Sequence, residues 1–458
     1  MPSSSPPSSV KTRLISRLEH MTFAWFTSSM SLGGIANLLM SRIVDSTPLY
    51  YLGSSLFLLN IVYLLLLISL QFVRYSFTGA SLSYTLSHPI ECCFVPTSLL
   101  ACATVIIGIF NVVGQEARAG WGVLLLVFFW VYFVLSLVVS LVCYTALFRR
   151  KEQSLHHMNP AWVLPIFPLM LCGTIASVIL PLQRESAGMR VMAFVGMTCQ
   201  GLGFTVSVMM YSVLLLRLMV SGFPPAKARI GLFMNTGPPA FTIICLLGLS
   251  DESPHFLPET LPAYAPQVLR TIAIASSVFL WSLSAWFYLF TLASLVDVLL
   301  DKQLRNEFEF ILAWWASVFP VTGFALATDA LADELGSKAL DVLSQVIVGW
   351  LLATFVGVAG MHIRAVVRGD IMTEGKDEDR VIDTMYHRFR DEEVPEQTPE
   401  KSPESNPPTY PSTPAMSVTR LDTKGKERSQ DADVDAIDSL TEIRVGGGLR
   451  MTRMVSNE

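Results

Sequence analysis

A phenylalanine followed by a proline, Phe319 and Pro320, lies at the centre of residues 308–329, a stretch apolar enough to cross a membrane. Proline has no backbone N–H to donate, and its ring displaces the carbonyl group four residues earlier, so we expect a kink there. A kink leaves polar backbone groups that a membrane tolerates only where protein or a water-filled cavity satisfies them. The pair therefore indicates a pore-lining segment with the Phe319 ring at its kink. The alternative is an ordinary packing kink beside a core aromatic.

Proline, glycine and hydroxyl side chains recur in four further apolar stretches that alternate along the chain with smooth Leu, Val and Phe runs. The candidate helix kinks are Pro96, Pro168, Pro238 and Pro320. The candidate pore-lining residues are small or carry a hydroxyl group: Ser28, Ser29, Gly33, Gly34, Thr97, Thr104, Thr174, Thr236, Gly237 and Thr322. Small residues also allow close helix packing. Five alternating occurrences favour a pore.

The same five segments carry no lysine or arginine at their centres. An anion on this path would be held by hydroxyl groups, by backbone amides at the kinks and by the positive ends of helix dipoles. Such binding is weak and spread over many points, which suits permeation because the ion must also leave. The same groups would serve a neutral solute equally well.

His88 and Glu91 form a histidine and carboxylate pair three residues apart at the head of an apolar segment. Ionisable groups near the membrane are costly and often functional, so the pair is a candidate for a proton-linked step. The equally supported alternative is a helix N-terminus with Glu91 near the positive end of the dipole.

No enzyme signature is present, since the sequence contains no phosphate-binding glycine loop, no GxSxG motif and no HExxH motif. The seven cysteines all fall inside apolar segments, which indicates buried thiols rather than disulfides or metal ligands. We therefore expect no catalytic residues, no metal, no cofactor and no nucleic-acid partner.

The composition is that of an all-α integral membrane protein, with 52% hydrophobic and 15% charged residues. We predict a cytoplasmic N-terminal segment at 1–19, a transmembrane domain at 20–367 and a disordered cytoplasmic tail at 368–458. In the tail, Thr398, Ser402 and Thr413 each precede a proline and are candidate kinase sites.

Ten apolar segments predict ten transmembrane helices arranged as five helical hairpins, with an inner five-helix pore and an outer helix ring. An even number places both termini on one side of the membrane. Fourteen lysines and arginines fall on that side and six on the other, so the positive-inside rule predicts cytoplasmic termini.

Six stretches resemble the tellurite-resistance/dicarboxylate transporter family, which includes slow anion channels, and within it are most similar to fungal malic acid transporters. The matching stretches are residues 20–39, 88–97, 158–177, 199–219, 231–242 and 314–328. The resemblance implies a ten-helix fold, assembly as a homotrimer and a phenylalanine that blocks the pore from the ninth helix. The best match to that phenylalanine is Phe319, with Phe324 second.

These observations predict a multi-pass plasma-membrane protein, a transporter or channel for small organic anions, above all malate and other C4-dicarboxylates. One alternative is efflux of sulfite or another small inorganic anion, because sulfite exporters share the architecture. A second is a receptor or scaffold that transports nothing and works through its tail.

Overall fold

The computed structural model describes residues 17–372, apart from residues 42, 44–45, 79–80, 89, 115–118, 150–154, 156–157, 185, 187 and 307. The described part contains α- and 3₁₀-helices and no strand. The predicted class, an all-α membrane protein, is confirmed. The candidate kinase sites Thr398, Ser402 and Thr413 lie outside the described residues, and the predicted boundaries after residues 19 and 367 stay predictions.

Ten α-helices of thirteen residues or more follow one another along the described chain, and short helices alternate with long ones. They are α1 (Phe26–Met40), α2 (Thr47–Phe77), α3 (Thr97–Val113), α4 (Ala119–Phe148), α5 (Phe167–Ile179), α6 (Met189–Ser221), α7 (Gly237–Asp251), α8 (Ala265–Leu300), α9 (Phe319–Leu335) and α10 (Lys338–Arg368). Shorter α-helices lie at Leu82–Ser87, Glu91–Phe94, Ser253–Phe256 and Lys302–Asn306.

The odd-numbered helices are extended at their N-terminal ends by other helical turns. The 3₁₀ segments Phe23–Trp25, Pro160–Ile166, Ala226–Thr236 and Leu312–Ser317 precede α1, α5, α7 and α9, while the short helix Glu91–Phe94 precedes α3. A fifth 3₁₀ segment, Leu180–Gln183, follows α5. An α-helix of 17 residues is about 26 Å long, somewhat less than a hydrocarbon core of about 30 Å. The extensions therefore bring the odd segments to membrane-crossing length.

Burial separates the odd from the even helices. Each candidate membrane-crossing segment contains an apolar stretch of 18 residues. In the segments with α3, α5, α7 and α9, 61% to 94% of the residues of this stretch are buried. In each even helix, 28% are buried. The even helices are 30 to 36 residues long and expose leucine, valine and phenylalanine. The exposed apolar faces indicate an outer layer against lipid, and the odd helices form an inner layer.

Each odd helix packs against the even helix that follows it, and the odd helices also contact one another in a closed cycle, α1 to α3, α5, α7, α9 and back to α1. Within the described residues, nine helical segments are long and apolar enough to cross a membrane. The segment containing α1 is not among them, although 14 of the 15 residues of α1 are buried. The count of ten membrane-crossing helices therefore stays a prediction.

Candidate functional site

A small cavity of about 20 Å³ lies where all five inner segments meet. This volume has room for about one water molecule. The lining residues are apolar except for one threonine: Thr27, Met30, Leu100, Leu164, Phe167, Met234, Ala316, Phe319 and Pro320. This cavity is therefore too small for a solute larger than water.

The inner α-helices begin around this cavity rather than passing it. Pro168, Pro238 and Pro320 each lie in the first turn of an α-helix that follows a 3₁₀ segment, and Pro96 immediately precedes the first residue of α3. Proline is favoured there because a first-turn residue needs no N–H for a helical hydrogen bond. Helical hydrogen bonding continues from the 3₁₀ segments into these α-helices, since the N–H groups of Phe167 and Gly237 donate to the carbonyls of Leu164 and Met234.

Phe319, the first residue of α9, lies at the cavity and is 4% exposed. Its ring stacks on Phe241 of α7, with 5.1 Å between centroids and 26° between planes. The ring also lies close to Gly34 of α1, where an added methyl group would lie 3.2 Å from the ring and 3.5 Å from the Thr322 hydroxyl. The structure thus brings together Phe319, Gly34 and Thr322.

Phe324 faces a different part of the molecule. Its ring lies 6.0 Å from that of Trp281 and 5.6 Å from that of Tyr288, both on the outer helix α8. It does not line the central cavity. The two candidate gate residues therefore occupy the inner and outer sides of α9.

Three inner phenylalanine rings are seated over glycines of the next inner helix. A methyl group added at Gly237 would lie 2.8 Å from the Phe167 ring, and one at Gly323 would lie 2.8 Å from the Phe241 ring. Phe319 over Gly34 continues this arrangement from α9 to α1. The missing Cβ atoms let the rings reach the region between the helices, so ring position and helix spacing depend on one another.

The candidate hydroxyls of α1 and α3 mostly make contacts between helices. Ser28 lies 2.8 Å from the Tyr63 hydroxyl of α2, and Ser29 donates to the Asn60 side chain of α2 at 2.9 Å. Thr97 donates to two backbone carbonyls, including that of Phe23. Ser28 and Ser29 therefore stabilise the contact between the layers, and Thr97 joins two inner segments.

Most of the remaining candidate residues pack against neighbouring helices. Thr104 packs against Gly33, where a methyl group would lie 2.1 Å from its hydroxyl oxygen, and Thr174 donates to the Phe241 carbonyl at 3.3 Å. Gly237 lies under the Phe167 ring. The Thr236 hydroxyl, just before α7, is buried without a hydrogen-bond partner in the described part of the chain.

Glu91 is held in a buried ion pair. Its carboxylate accepts hydrogen bonds from Arg74 of α2 at 2.6 Å and from the Thr85 hydroxyl at 3.1 Å, and the Arg74 and Glu91 side chains are 3% and 1% exposed. The His88 ring accepts the Glu91 backbone N–H at 3.3 Å. The histidine therefore caps the short helix, while the carboxylate balances an arginine that sequence reasoning did not connect with it.

At the opposite end of the molecule, charged residues in the linkers and at the neighbouring helix ends pair with one another. The Arg184 guanidinium donates hydrogen bonds to both carboxylate oxygens of Glu252. The Arg270 guanidinium forms ion pairs with both Asp251 and Glu334. The hydrogen bond and negative charge of Glu252 raise the pKa of the Arg184 guanidinium. These pairs tie the ends of α7 and α9 to neighbouring segments, away from the cavity.

No group of three or more His, Cys, Asp or Glu side chains in the described ranges is arranged to hold a metal ion. None of the seven cysteines forms a disulfide within the described part of the chain, and none is exposed. The site consists of apolar rings, helix ends and a few hydroxyls, which suit passage of a solute rather than bond chemistry.

Sequence reasoning missed Phe167 and Phe241 as partners of Phe319. One signal was present, because Phe167-Pro168 repeats the pair Phe319-Pro320 at the start of another inner helix. Phe241 carries no such mark, since its importance comes from the glycine of the neighbouring helix that it contacts.

Comparison with known proteins places this architecture in a family. The profile described as voltage-dependent anion channel, SLAC1, matches residues 20–363. The malic acid transport protein of Schizosaccharomyces pombe is 27% identical over 80% of this chain and 83% of its own length. A second protein of that organism, provisionally named for malic acid transport, is 30% identical over 84% and 89%. The sulfite efflux pump SSU1 of Arthroderma otae is 23% identical over 70% and 84%.

The family resemblance predicted from the sequence is confirmed by a match that spans all ten long helices almost completely. A chain with apolar membrane-crossing helices and a closed central cavity is thus related to proteins that move anions. The chain belongs to the voltage-dependent anion channel family, SLAC1, and is a multi-pass membrane protein of anion transport, not an enzyme.

Proposed function

We propose that this protein carries malate and related C4-dicarboxylates across the plasma membrane, along the axis of the five inner helices. The observation that carries the proposal is the central cavity, to which every inner segment contributes and where α-helices begin. The names of the two S. pombe relatives supply the substrate class.

In this proposal Phe319 is the gate. Its ring borders the cavity and is held between Phe241 and Gly34 of two neighbouring inner helices. A hydrophobic constriction of this kind blocks ions by excluding the water that hydrates them. In this proposal, rotation of the ring away from Gly34 would widen the cavity and open the path along the axis. Phe324, which contacts α8, packs the inner layer against the outer one.

The path needs no fixed cation to prefer anions. No lysine or arginine lines the cavity, so in this proposal backbone amides at the starts of the inner α-helices supply partial positive charge instead. Partial charges bind an anion less tightly than a buried arginine would, so the anion can leave again. The Thr27 hydroxyl, which lines the cavity, adds a polar group to this region.

The deciding experiment is uptake of labelled malate and labelled sulfite by the purified protein in liposomes. We expect saturable malate uptake that exceeds sulfite uptake. Gly34→Leu, which fills the space beside Phe319, should abolish uptake, while Gly201→Leu on the outer helix α6, where an added side chain meets open space, should leave it unchanged.

Sulfite efflux is the second candidate, because several sulfite efflux pumps match 70% of this chain. Sulfite transport without malate transport in the same liposomes would replace the first proposal with this one. Absence of flux for either anion, from protein that is monodisperse and correctly folded, would contradict both.

We further propose cytoplasmic termini and a homotrimer. The predicted cytoplasmic side carries fourteen lysines and arginines, among them Arg74, Lys227, Arg364 and Arg368, against six on the other side, as the positive-inside rule predicts. The trimer follows only from the family resemblance, and the mass of the detergent-purified particle tests it. Phosphorylation at Thr398, Ser402 or Thr413 stays a prediction.

A further inference from the structure

A cavity of about 420 Å³ lies between the residues that precede α9 and the C-terminal end of α10. It is lined by three cations, Lys227, Arg364 and Arg368, and by Glu309 and Asp370. We call it the basic cavity. Arg364 and Arg368 are four residues apart and so project from one face of α10.

The three cations of the basic cavity differ from three arginines at other helix ends. Arg74, Arg184 and Arg270 form ion pairs with carboxylates at 2.5 to 2.9 Å. In the part of the chain that the structure describes, Lys227, Arg364 and Arg368 form none. Their charge therefore remains available to a ligand.

A second cavity, of about 270 Å³, continues from the basic cavity along the outer surface between α8 and α10. It shares Phe308 and Met361 with the basic cavity. Its other lining residues are almost all apolar and include Leu299, Trp314, Trp350 and Gly357. We call it the apolar groove.

The apolar groove opens to the lipid side of the molecule. Leu299 of α8 is 62% exposed and Trp350 of α10 is 57% exposed, although both belong to membrane-crossing helices. The Phe308 ring lies 4.7 Å from the Trp314 ring and lines both the groove and the basic cavity, where the two meet. An apolar channel that faces lipid and ends in a positively charged cavity matches the shape of one phospholipid molecule.

We infer that this pair of cavities binds an anionic glycerophospholipid of the phosphatidylinositol type. The phosphodiester lies against Arg364, Arg368 and Lys227, and one acyl chain lies in the apolar groove. Glu309 and Asp370 would repel a headgroup that carried only negative charge, but their carboxylates accept hydrogen bonds from headgroup hydroxyls. A polyhydroxyl headgroup therefore fits the mixed lining better than a bare phosphate monoester.

The test titrates delipidated, detergent-purified full-length protein with phosphatidylinositol and with phosphatidylcholine of the same acyl chains, and reads the bound lipid by native mass spectrometry. Free inositol 1-phosphate is the third ligand, because it carries the headgroup without the chains. We expect phosphatidylinositol to bind more tightly than either of the others.

Two matched pairs of variants locate the site. Removing both arginines in Arg364→Gln/Arg368→Gln should weaken phosphatidylinositol binding about 20- to 30-fold, at about fivefold per cation, while Arg305→Gln, an exposed arginine of the neighbouring linker, should not. Gly357→Leu should fill the groove and weaken binding of both lipids. Gly360→Leu, also in open space but outside the groove, should have no effect.

The charge-retaining variant Arg364→Lys/Arg368→Lys should keep most of the phosphatidylinositol affinity, which separates loss of charge from loss of folding. Equal affinity for the two lipids, or no effect of the arginine variants, would overturn the assignment. Equally tight binding of inositol 1-phosphate would show a soluble ligand instead. If Gly357→Leu changes the oligomeric state of a protein that binds no lipid, a second copy of the chain covers the groove and the inference is wrong.

Discussion

At the scale of single residues, Phe319 and Phe324 differ in what their rings contact, and this difference sets the first prediction. Phe319 borders the cavity, so Phe319→Ala should widen the path and raise malate flux about tenfold or more, equivalent to about 1.4 kcal/mol of barrier. The variant loses its stacking on Phe241. A buried Phe→Ala change usually lowers the free energy of unfolding by about 3 to 5 kcal/mol. Because one side of the ring already borders a cavity, we expect a decrease at or below the low end of that range. Liposome flux and thermal unfolding measure the two effects.

Phe324→Ala is the control for the gate, because it removes an equal ring from the same helix. It should lower the unfolding temperature through lost contacts with Trp281 and Tyr288 and leave the flux low. If Phe324→Ala opens the path and Phe319→Ala does not, the gate has been assigned to the wrong ring.

The Arg74–Glu91 pair carries the second prediction. Glu91→Gln leaves the Arg74 charge buried without its partner and should destabilise the protein by about 3 to 5 kcal/mol. The double variant Arg74→Met/Glu91→Leu removes both charges and should recover much of that loss. Thermal unfolding of the three variants decides the matter. A stable Glu91→Gln protein with an altered pH profile of transport would instead support the proton-linked role.

Sequence alone could not choose between the two phenylalanines. Residues five apart on an α-helix are rotated by about 140°, so one faces the axis when the other faces outward, but the apolar neighbours of both look alike. The choice depends on Gly34 and Trp281, which lie far away in the chain. The Arg74–Glu91 pair was hidden for the same reason, because it joins two helices across a linker.

At the scale of elements, the alternation of proline-rich and smooth segments did predict which helices are buried. It did so because small and hydroxyl-bearing residues are suited to helix contacts, whereas smooth aliphatic runs are suited to lipid. The local form of the inner segments could not be predicted, since proline is compatible both with a kink inside a helix and with its first turn. The 3₁₀ segments before α5, α7 and α9 depend on tertiary packing.

The ring-on-glycine contacts make a prediction about the inner elements. Gly237→Ala places a methyl group 2.8 Å from the Phe167 ring, so α5 and α7 must separate or the ring must move. We expect the free energy of unfolding to fall by about 1 to 3 kcal/mol. Because Phe167 also lines the cavity, we expect the malate flux to differ from that of the parent protein. Gly201→Ala, on the exposed face of α6, should be neutral in both measurements. Unchanged stability in Gly237→Ala would argue against tight coupling of ring and helix.

At the scale of the whole molecule, the distribution of charge predicts the orientation in the membrane. Glu259, between α7 and α8, should lie outside the cell, and Gln303, between α8 and α9, should lie inside. Single cysteines at these exposed positions can be labelled in intact cells with an impermeant thiol reagent, because the seven natural thiols are all partly or fully buried. Glu259→Cys should react and Gln303→Cys should not. The reverse pattern would invert the proposed topology.

The last prediction concerns how the complete path treats the charge of its substrate. Malate is a dianion near neutral pH and becomes a singly charged anion as the external pH falls. Removing water from two charges costs more than removing it from one, and the cavity lining offers no cation to offset that cost. Malate flux should therefore rise as the external pH falls, in proportion to the singly charged form.

Phe319→Ala provides the internal control for this pH dependence. A wider, better hydrated axis removes less water from the anion, so the variant should conduct more at every pH and show a flatter pH profile than the parent. Flux measured in liposomes with a fixed internal pH and a stepped external pH compares the two proteins directly. A parent flux that follows the dianion concentration, or an equally steep profile in the variant, would mean that dehydration at the Phe319 ring does not limit permeation.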